Sequence, residues 1–532
     1  MFPHALNQSY DNSGETVIMR LVCLVPSKTR QFIGETGKNP FACWFYSCAP
    51  EEIPLSVGND VSHALRWSLL GRVFSQVVTW GTTLVVIRIL VPEDYGLIAL
   101  AAAFISFFTL ISESGLGPVL IQAKTLTDDK IREVHGLVLV SCIAIIGVIL
   151  LFAPVIASVF SEPRLRIILS VLALIFVFES FAIVPRNLLI RDMNFKRLAI
   201  VDMVARTAAG LGSLMFAIFG FGVWSLVFGN IIAASCRAIG VNLAQKYRSL
   251  PRFQFSRMKS EMRFGGGILL QRFSAWLFAH LDIFIIGRLF TVETLGAYSV
   301  AFNLASMPQQ KLSQIMNQVS LSGFSKVQDD RERFQKYLRT AISFLLILVV
   351  PVFFGISAIA PEIIKLILGD KWSSALFALT ILPVMLPLRM VMSPIFEAIN
   401  ATGKPFLTFR LILNNIVVLA AALLVGANWG IDGVCLSWLV ATPVSLILNL
   451  RMVRPVLGFG LSDLSAVLWR PLFAAIGMYA AVMAARNYFP LPLGDIATFA
   501  MLILTGAVSY GILILLLAKQ KCVELMQFIR GN

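Results

Sequence analysis

Arg88-Ile-Leu-Val-Pro-Glu-Asp-Tyr-Gly96 returns about 200 residues later as Arg288-Leu-Phe-Thr-Val-Glu-Thr-Leu-Gly296, with the arginine, the glutamate and the glycine in register. Working outward, Leu69-Leu70 and Leu269-Leu270 keep the same offset, as do Val85-Val86 and Ile285-Ile286, and Arg72 and Arg272. Matched residues at one offset inside apolar sequence mark a duplicated membrane unit. Arg88, Glu93, Gly96, Arg288, Glu293 and Gly296 read as structural turn markers. The glycines permit the turn into the next helix, and Arg88 is placed to pair with Glu93.

The chain around these motifs is 58% hydrophobic and only 14% charged, unlike an ordinary soluble domain. Apolar runs of about 20 residues recur from Leu65 onward, each long enough to cross the hydrocarbon core as a helix. The pattern predicts an all-α integral membrane protein with about fourteen transmembrane helices. Residues 61–248 form an N-lobe and 264–455 a C-lobe, six helices each, joined by a cytoplasmic linker at 249–263. Six is even, so both lobes enter from one side, as parallel repeats about a pseudo-two-fold along the membrane normal. Residues 456–532 add two further helices and a cytoplasmic tail. Residues 1–60 are polar and lack a secretory signal pattern. They read as a poorly ordered extension or as sequence ahead of the true start, for which Met19 is a candidate.

The net charge of +15 could suggest nucleic acid, but its distribution excludes that reading. Alternate connections hold the excess, as in Lys246, Arg248, Arg252, Arg257 and Lys259, while those between them are short and nearly bare. By the positive-inside rule both termini are cytoplasmic. Of the cysteines, Cys142, Cys236 and Cys435 lie in spans; Cys23, Cys43 and Cys48 lie in the N-terminal extension without a histidine at ligand spacing. No metal site and no cofactor is expected. No Walker A, GxSxG, HExxH or paired CxxC motif has the flanking structure it needs, and no connection is long enough for a catalytic domain, so an enzyme is not expected.

Charge inside a span is costly and usually functional. Arg72, Arg272, Arg206, Arg237, Lys311 and Arg389 fall at roughly one depth on different helices, which suggests a cationic vestibule between the lobes. A guanidinium suits phosphate oxygens and stays charged when partly desolvated. Snorkelling is the alternative for each, and Arg206 could simply pair with Asp202 one turn earlier. Asp282, Glu113 and Glu179 are candidates for coupling to an ion. Gln310, Gln314 and Asn317 form a polar stripe that suits a wet cavity or a helix–helix seam.

Ala64-Leu-Arg-Trp-Ser, the Arg88–Gly96 motif, Gly115-Leu-Gly117 and Leu120-Ile-Gln122 together resemble bacterial polysaccharide (O-antigen/exopolysaccharide, Wzx-type) flippases. These belong to the multidrug/oligosaccharidyl-lipid/polysaccharide exporter superfamily. Asp282-Ile-Phe-Ile-Ile-Gly287, Leu295-Gly-Ala-Tyr298 and Phe324-Ser325 fit the same pattern, so the resemblance covers roughly residues 61–520. It implies alternating-access translocation of an undecaprenyl-pyrophosphate-linked oligosaccharide across a bacterial inner membrane, driven by an ion gradient. The partners it implies are the lipid-linked glycan, membrane lipid, and the polysaccharide polymerase and chain-length proteins. A drug antiporter of the same superfamily is the nearest rival. A membrane polymerase or ligase is the next, although it would need a larger periplasmic loop.

Overall fold

Proline and short polar side chains set where the helices begin. Pro92, Pro163 and Pro405 each open a helix, where a missing N–H costs nothing. Thr127, Asn194 and Asp330 cap others by accepting backbone N–H bonds from Lys130, Arg197, and both Glu332 and Arg333 respectively. The computed structural model describes residue 76 and residues 78–122, 126–245, 251–253, 259–327, 330–488 and 494–530. The N-terminal extension, Arg72 and most of the linker lie outside the described residues, as do the side chains of Glu113, Gln314 and Asn317.

The first set of helices is α1 (Val78–Ile89), α2 (Pro92–Gln122), α3 (Asp128–Val159), α4 (Pro163–Leu172), α5 (Ile175–Arg191), α6 (Phe195–Ile218) and α7 (Val223–Ala244). The second begins with α8 (Lys259–Leu289), α9 (Val292–Val327) and α10 (Arg331–Ala358). A broken connector, Ala360–Ala375, then leads to α11 (Leu376–Met390), α12 (Met392–Ala401), α13 (Pro405–Gly426) and α14 (Gly430–Leu457). Helices α15 (Leu461–Tyr488) and α16 (Asp495–Arg530) close the chain.

Ten stretches among the described residues are long and apolar enough to cross a membrane, against about fourteen expected. The difference has physical origins. One stretch, Phe406–Leu457, holds two helices, α13 and α14, and α1 is described for only part of its length. Helices α8 and α9 are long enough but carry many polar residues, among them Gln271, Arg272, His280, Asp282, Gln310 and Lys311.

The two sets repeat each other in packing as well as in sequence. The last hairpin of each, α6–α7 and α13–α14, closes on small residues. A side chain at Gly229 would strike Ser213, and one at Gly426 would strike Ser437 and the Gly433 carbonyl. The C-terminal hairpin packs on α10, where the Tyr510 hydroxyl donates to the Ile347 carbonyl at 2.8 Å. Arg486 ties α15 to the connector by donating to both Glu362 oxygens and the Ala358 carbonyl. Lys365 pairs with Asp495 at 2.8 Å, and that carboxylate holds the exposed ammonium above its ordinary pKa.

Gly96 and Gly296 are not turn residues. Each lies inside the first turns of its helix, α2 or α9, with an ordinary helical φ. They face each other where the two helices cross. A Cβ on Gly96 would run into the Val292 carbonyl, and one on Gly296 into the Pro92 carbonyl. The repeat conserves a backbone-to-backbone approach between the two lobes, which needs glycine for space and not for conformation.

Candidate substrate path

The end of the bundle that carries the α1–α2 and α8–α9 turns is closed between the lobes. Trp372, fully buried in the connector, donates through Nε1 to the Ile87 carbonyl at 3.1 Å. Its ring meets Tyr95 edge-on, with centroids 5.4 Å apart. Lys371 donates to the Ile89 carbonyl at 2.7 Å, and Arg88 donates back to the Leu366 carbonyl at 3.2 Å. Each lobe thus places a cation on the C-terminal carbonyls of a helix in the other, where the helix dipole favours it. The expected Arg88–Glu93 pair does not form. Arg88 crosses to the other lobe, and Glu93 pairs with Arg164 at the start of α4.

The matching contact of the first lobe is looser. Phe160, Ser161 and Glu162, between α3 and α4, face Leu289–Val292 and Thr294 across a cleft of about 430 Å³. Arg288 and Glu293 are exposed and do not line this cleft.

Deeper in, α2 meets α8 through polar and aromatic groups. Trp276 Nε1 donates to Ser106 Oγ at 2.9 Å, and His280 Nε2 lies 3.3 Å from the same oxygen. His280 Nδ1 is 2.9 Å from the Trp276 carbonyl, a geometry in which Nδ1 carries the proton and donates, while Ser106 Oγ itself donates to the Ala103 carbonyl at 2.8 Å. Phe104, Phe107, Phe273 and Phe284 surround this node. Of these residues only His280 stood out from sequence, two residues from Asp282 and therefore on a different helix face, with no relay expected between them. Trp276 and His280, one turn apart in an apolar span, were the available signal.

The structure does not gather the expected cations into one vestibule. Arg272, Arg206 and Lys311 are exposed, with Lys311 Nζ 3.4 Å from Gln76 Oε1 in the other lobe. Arg237 is instead turned into the first lobe, with NH1 3.3 Å from Glu179 and Nε 3.6 Å from Asp202. Asp202 therefore serves Arg237 and not Arg206. This group borders a cavity of about 440 Å³ among α2, α4, α5 and α7.

Arg389 is turned into the second lobe. It sits in the last turn of α11, just before the break at Val391. Its guanidinium carbon lies 4.8 Å from the Phe278 ring, 5.3 Å from Trp438 and 6.0 Å from Phe302. Close by, buried Asp282 accepts from the Tyr298 hydroxyl at 2.7 Å and from the Ile283 N–H at 2.9 Å. Trp438 Nε1 donates to the same hydroxyl at 2.9 Å. Gln310 is exposed, whereas its neighbour Gln309 lines the second-lobe cavity.

Residues 85–377 match the family described as Polysaccharide biosynthesis protein. Over nearly its whole length the chain is similar to the succinoglycan biosynthesis transport protein ExoT of Rhizobium meliloti (strain 1021). The two are 25% identical over 90% of this chain and 97% of that one. The lipopolysaccharide biosynthesis protein WzxC of Escherichia coli (strain K12) is 24% identical over 79% of this chain and 87% of its own. Among solved structures, lipid II flippase MurJ in an inward closed conformation superposes with a TM-score of 0.70 at 13% identity. That match covers 85% of this chain and 98% of that one. An inward-facing multidrug resistance MATE family transporter of the MOP superfamily gives 0.57 at 17% identity, covering 72% and 94%. The two-lobe fold is common to all of these structures.

Proposed function

Since the chain belongs to the polysaccharide biosynthesis protein family, we propose that it is a flippase, a transporter and not an enzyme, for lipid-linked oligosaccharide. It carries undecaprenyl-pyrophosphate-linked repeat units across the bacterial inner membrane for exopolysaccharide or O-antigen assembly. The observation that carries this reading is the reciprocal closure of one end by Arg88, Lys371 and Trp372, with exposed cations on the inner helices beyond it. Such a molecule opens alternately by rocking one lobe on the other. The lobes are 61–248 and 264–455, the closed end faces the periplasm, and both termini are cytoplasmic by the charge of the connections.

In this reading Arg272 and Lys311, with Arg206 and Arg72, meet the pyrophosphate by charge-assisted hydrogen bonds. Asp282, the buried carboxylate of the second lobe, couples the cycle to an ion gradient. The product passes to a polysaccharide polymerase and its chain-length partner. Deletion of the chain is expected to accumulate lipid-linked repeat units on the cytoplasmic leaflet and to abolish polymer. Complementation with Arg272→Ala/Lys311→Ala should leave insertion intact and export below about a tenth of wild type. Periplasmic accumulation in the deletion strain would point to a polymerase and overturn the proposal.

A further inference from the structure

Arg389 borders a partly open cavity of about 340 Å³ lined by helices of the second lobe, within the size range of pockets that hold a small ligand. Three aromatic rings and the end of α11 hold its charge in place. Among the described residues no acceptor lies within hydrogen-bonding distance of its guanidinium and no carboxylate forms an ion pair with it. Its five N–H donors, half-buried at the cavity wall, are free to bind a ligand there. The facing walls are built to bind polar groups in several directions. Asn414 donates to Asn449 at 2.8 Å, and Asn449 donates to Asn415 Oδ1 at 2.7 Å. That relay occupies the Asn415 oxygen and leaves its amide N–H groups for the cavity. Gln309, Ser393, Glu397 and Ser445 add further donors and acceptors, and Phe278 and Trp438 supply apolar faces.

We propose that this cavity is a saccharide subsite for an acidic sugar, with Arg389 binding the sugar carboxylate and the amide, hydroxyl and carboxylate side chains binding its hydroxyls. The inference rests on the flippase reading and adds which part of the substrate the second lobe recognises. A carboxylate and a phosphate share the oxyanion chemistry that a guanidinium takes. The cavity favours the single charge, because Glu397 lines the same wall and Asp282 lies behind Tyr298, so a doubly charged pyrophosphate would face two carboxylates.

Binding to the purified full chain in lipid nanodiscs tests this, with three probes: a glucuronic-acid-containing disaccharide, its neutral hexose counterpart, and inorganic pyrophosphate. The acidic disaccharide should bind about tenfold more tightly than the neutral one. Arg389→Gln should remove that preference, Arg389→Lys should restore part of it, and pyrophosphate binding should be unchanged by either. Ser445→Phe, which fills the cavity while leaving the aromatic cage, should block both disaccharides. Equal binding of the two sugars, Arg389-dependent binding of pyrophosphate, or unaltered sugar binding in Ser445→Phe overturns the subsite. Binding requires no transport, so these outcomes are independent of the deletion experiment.

Discussion

Arg237 in the first lobe and Arg389 in the second are both guanidiniums turned into the interior of their helical unit, and they are treated in opposite ways. Arg237 lies between two carboxylates, Glu179 and Asp202, so its charge is more than neutralised before any ligand arrives. Arg389 is held by Phe278, Phe302 and Trp438, none of which removes its charge or takes its hydrogen bonds. Duplication supplied one scaffold twice, and the side chains around a buried cation then decided whether it supports the fold or stays available. The two sites share the identity of the cation, although they sit on different helices of their sets, α7 and α11. The difference lies in what surrounds each cation.

That contrast can be broken by removing each arginine in turn. Arg237→Leu takes the cation away from Glu179, which is nearly fully buried, and from Asp202. It should cost about 3 kcal/mol, seen as a clear drop in thermal unfolding in detergent. Glu179→Leu in the same chain should recover part of the loss. Arg389→Leu removes contacts with three aromatic rings and a cation near buried Asp282 with which it forms no ion pair, and should cost about 1–2 kcal/mol while abolishing export. If the two variants were equally destabilised, the contrast would fail. Ser106→Ala gives the smallest effect, about 1 kcal/mol, because it removes one hydroxyl that Trp276 and His280 share between the lobes. It should sharpen the comparison by shifting the balance between open and closed forms without touching either arginine, read as a change in spectroscopic distance between labelled lobes.

The architecture was legible because a membrane allows so few solutions: runs of apolar residues must be helices, and an offset of about 200 residues must be a duplicated unit. The turn motif was visible as a repeat, but its use was not. Gly96 reads as a turn until Val292 is placed against it, and the partner helix lies far away in sequence. Arg88 next to Glu93 reads as a local pair, yet each residue finds a remote partner. The charged residues of the spans were all identifiable, whereas their sorting was hidden. Glu179 meets Arg237 across two helices, and the cage of Arg389 comes from α8, α9 and α14. Trp372 was a further hint left unread, a large aromatic residue in a connection between helices, with its N–H satisfied by the Ile87 carbonyl of the other lobe.

Transport by rocking requires the end closed by Arg88, Lys371 and Trp372 to part during each cycle. The direct measurement places cysteines at Arg88 and Leu366, joins them with a short reducible cross-linker, and follows transfer of lipid-linked oligosaccharide across reconstituted vesicles. The cross-linked protein should bind substrate but fail to translocate it, and reduction should restore transfer to the level of the uncross-linked control. Transfer at the same rate with the link intact would contradict the account.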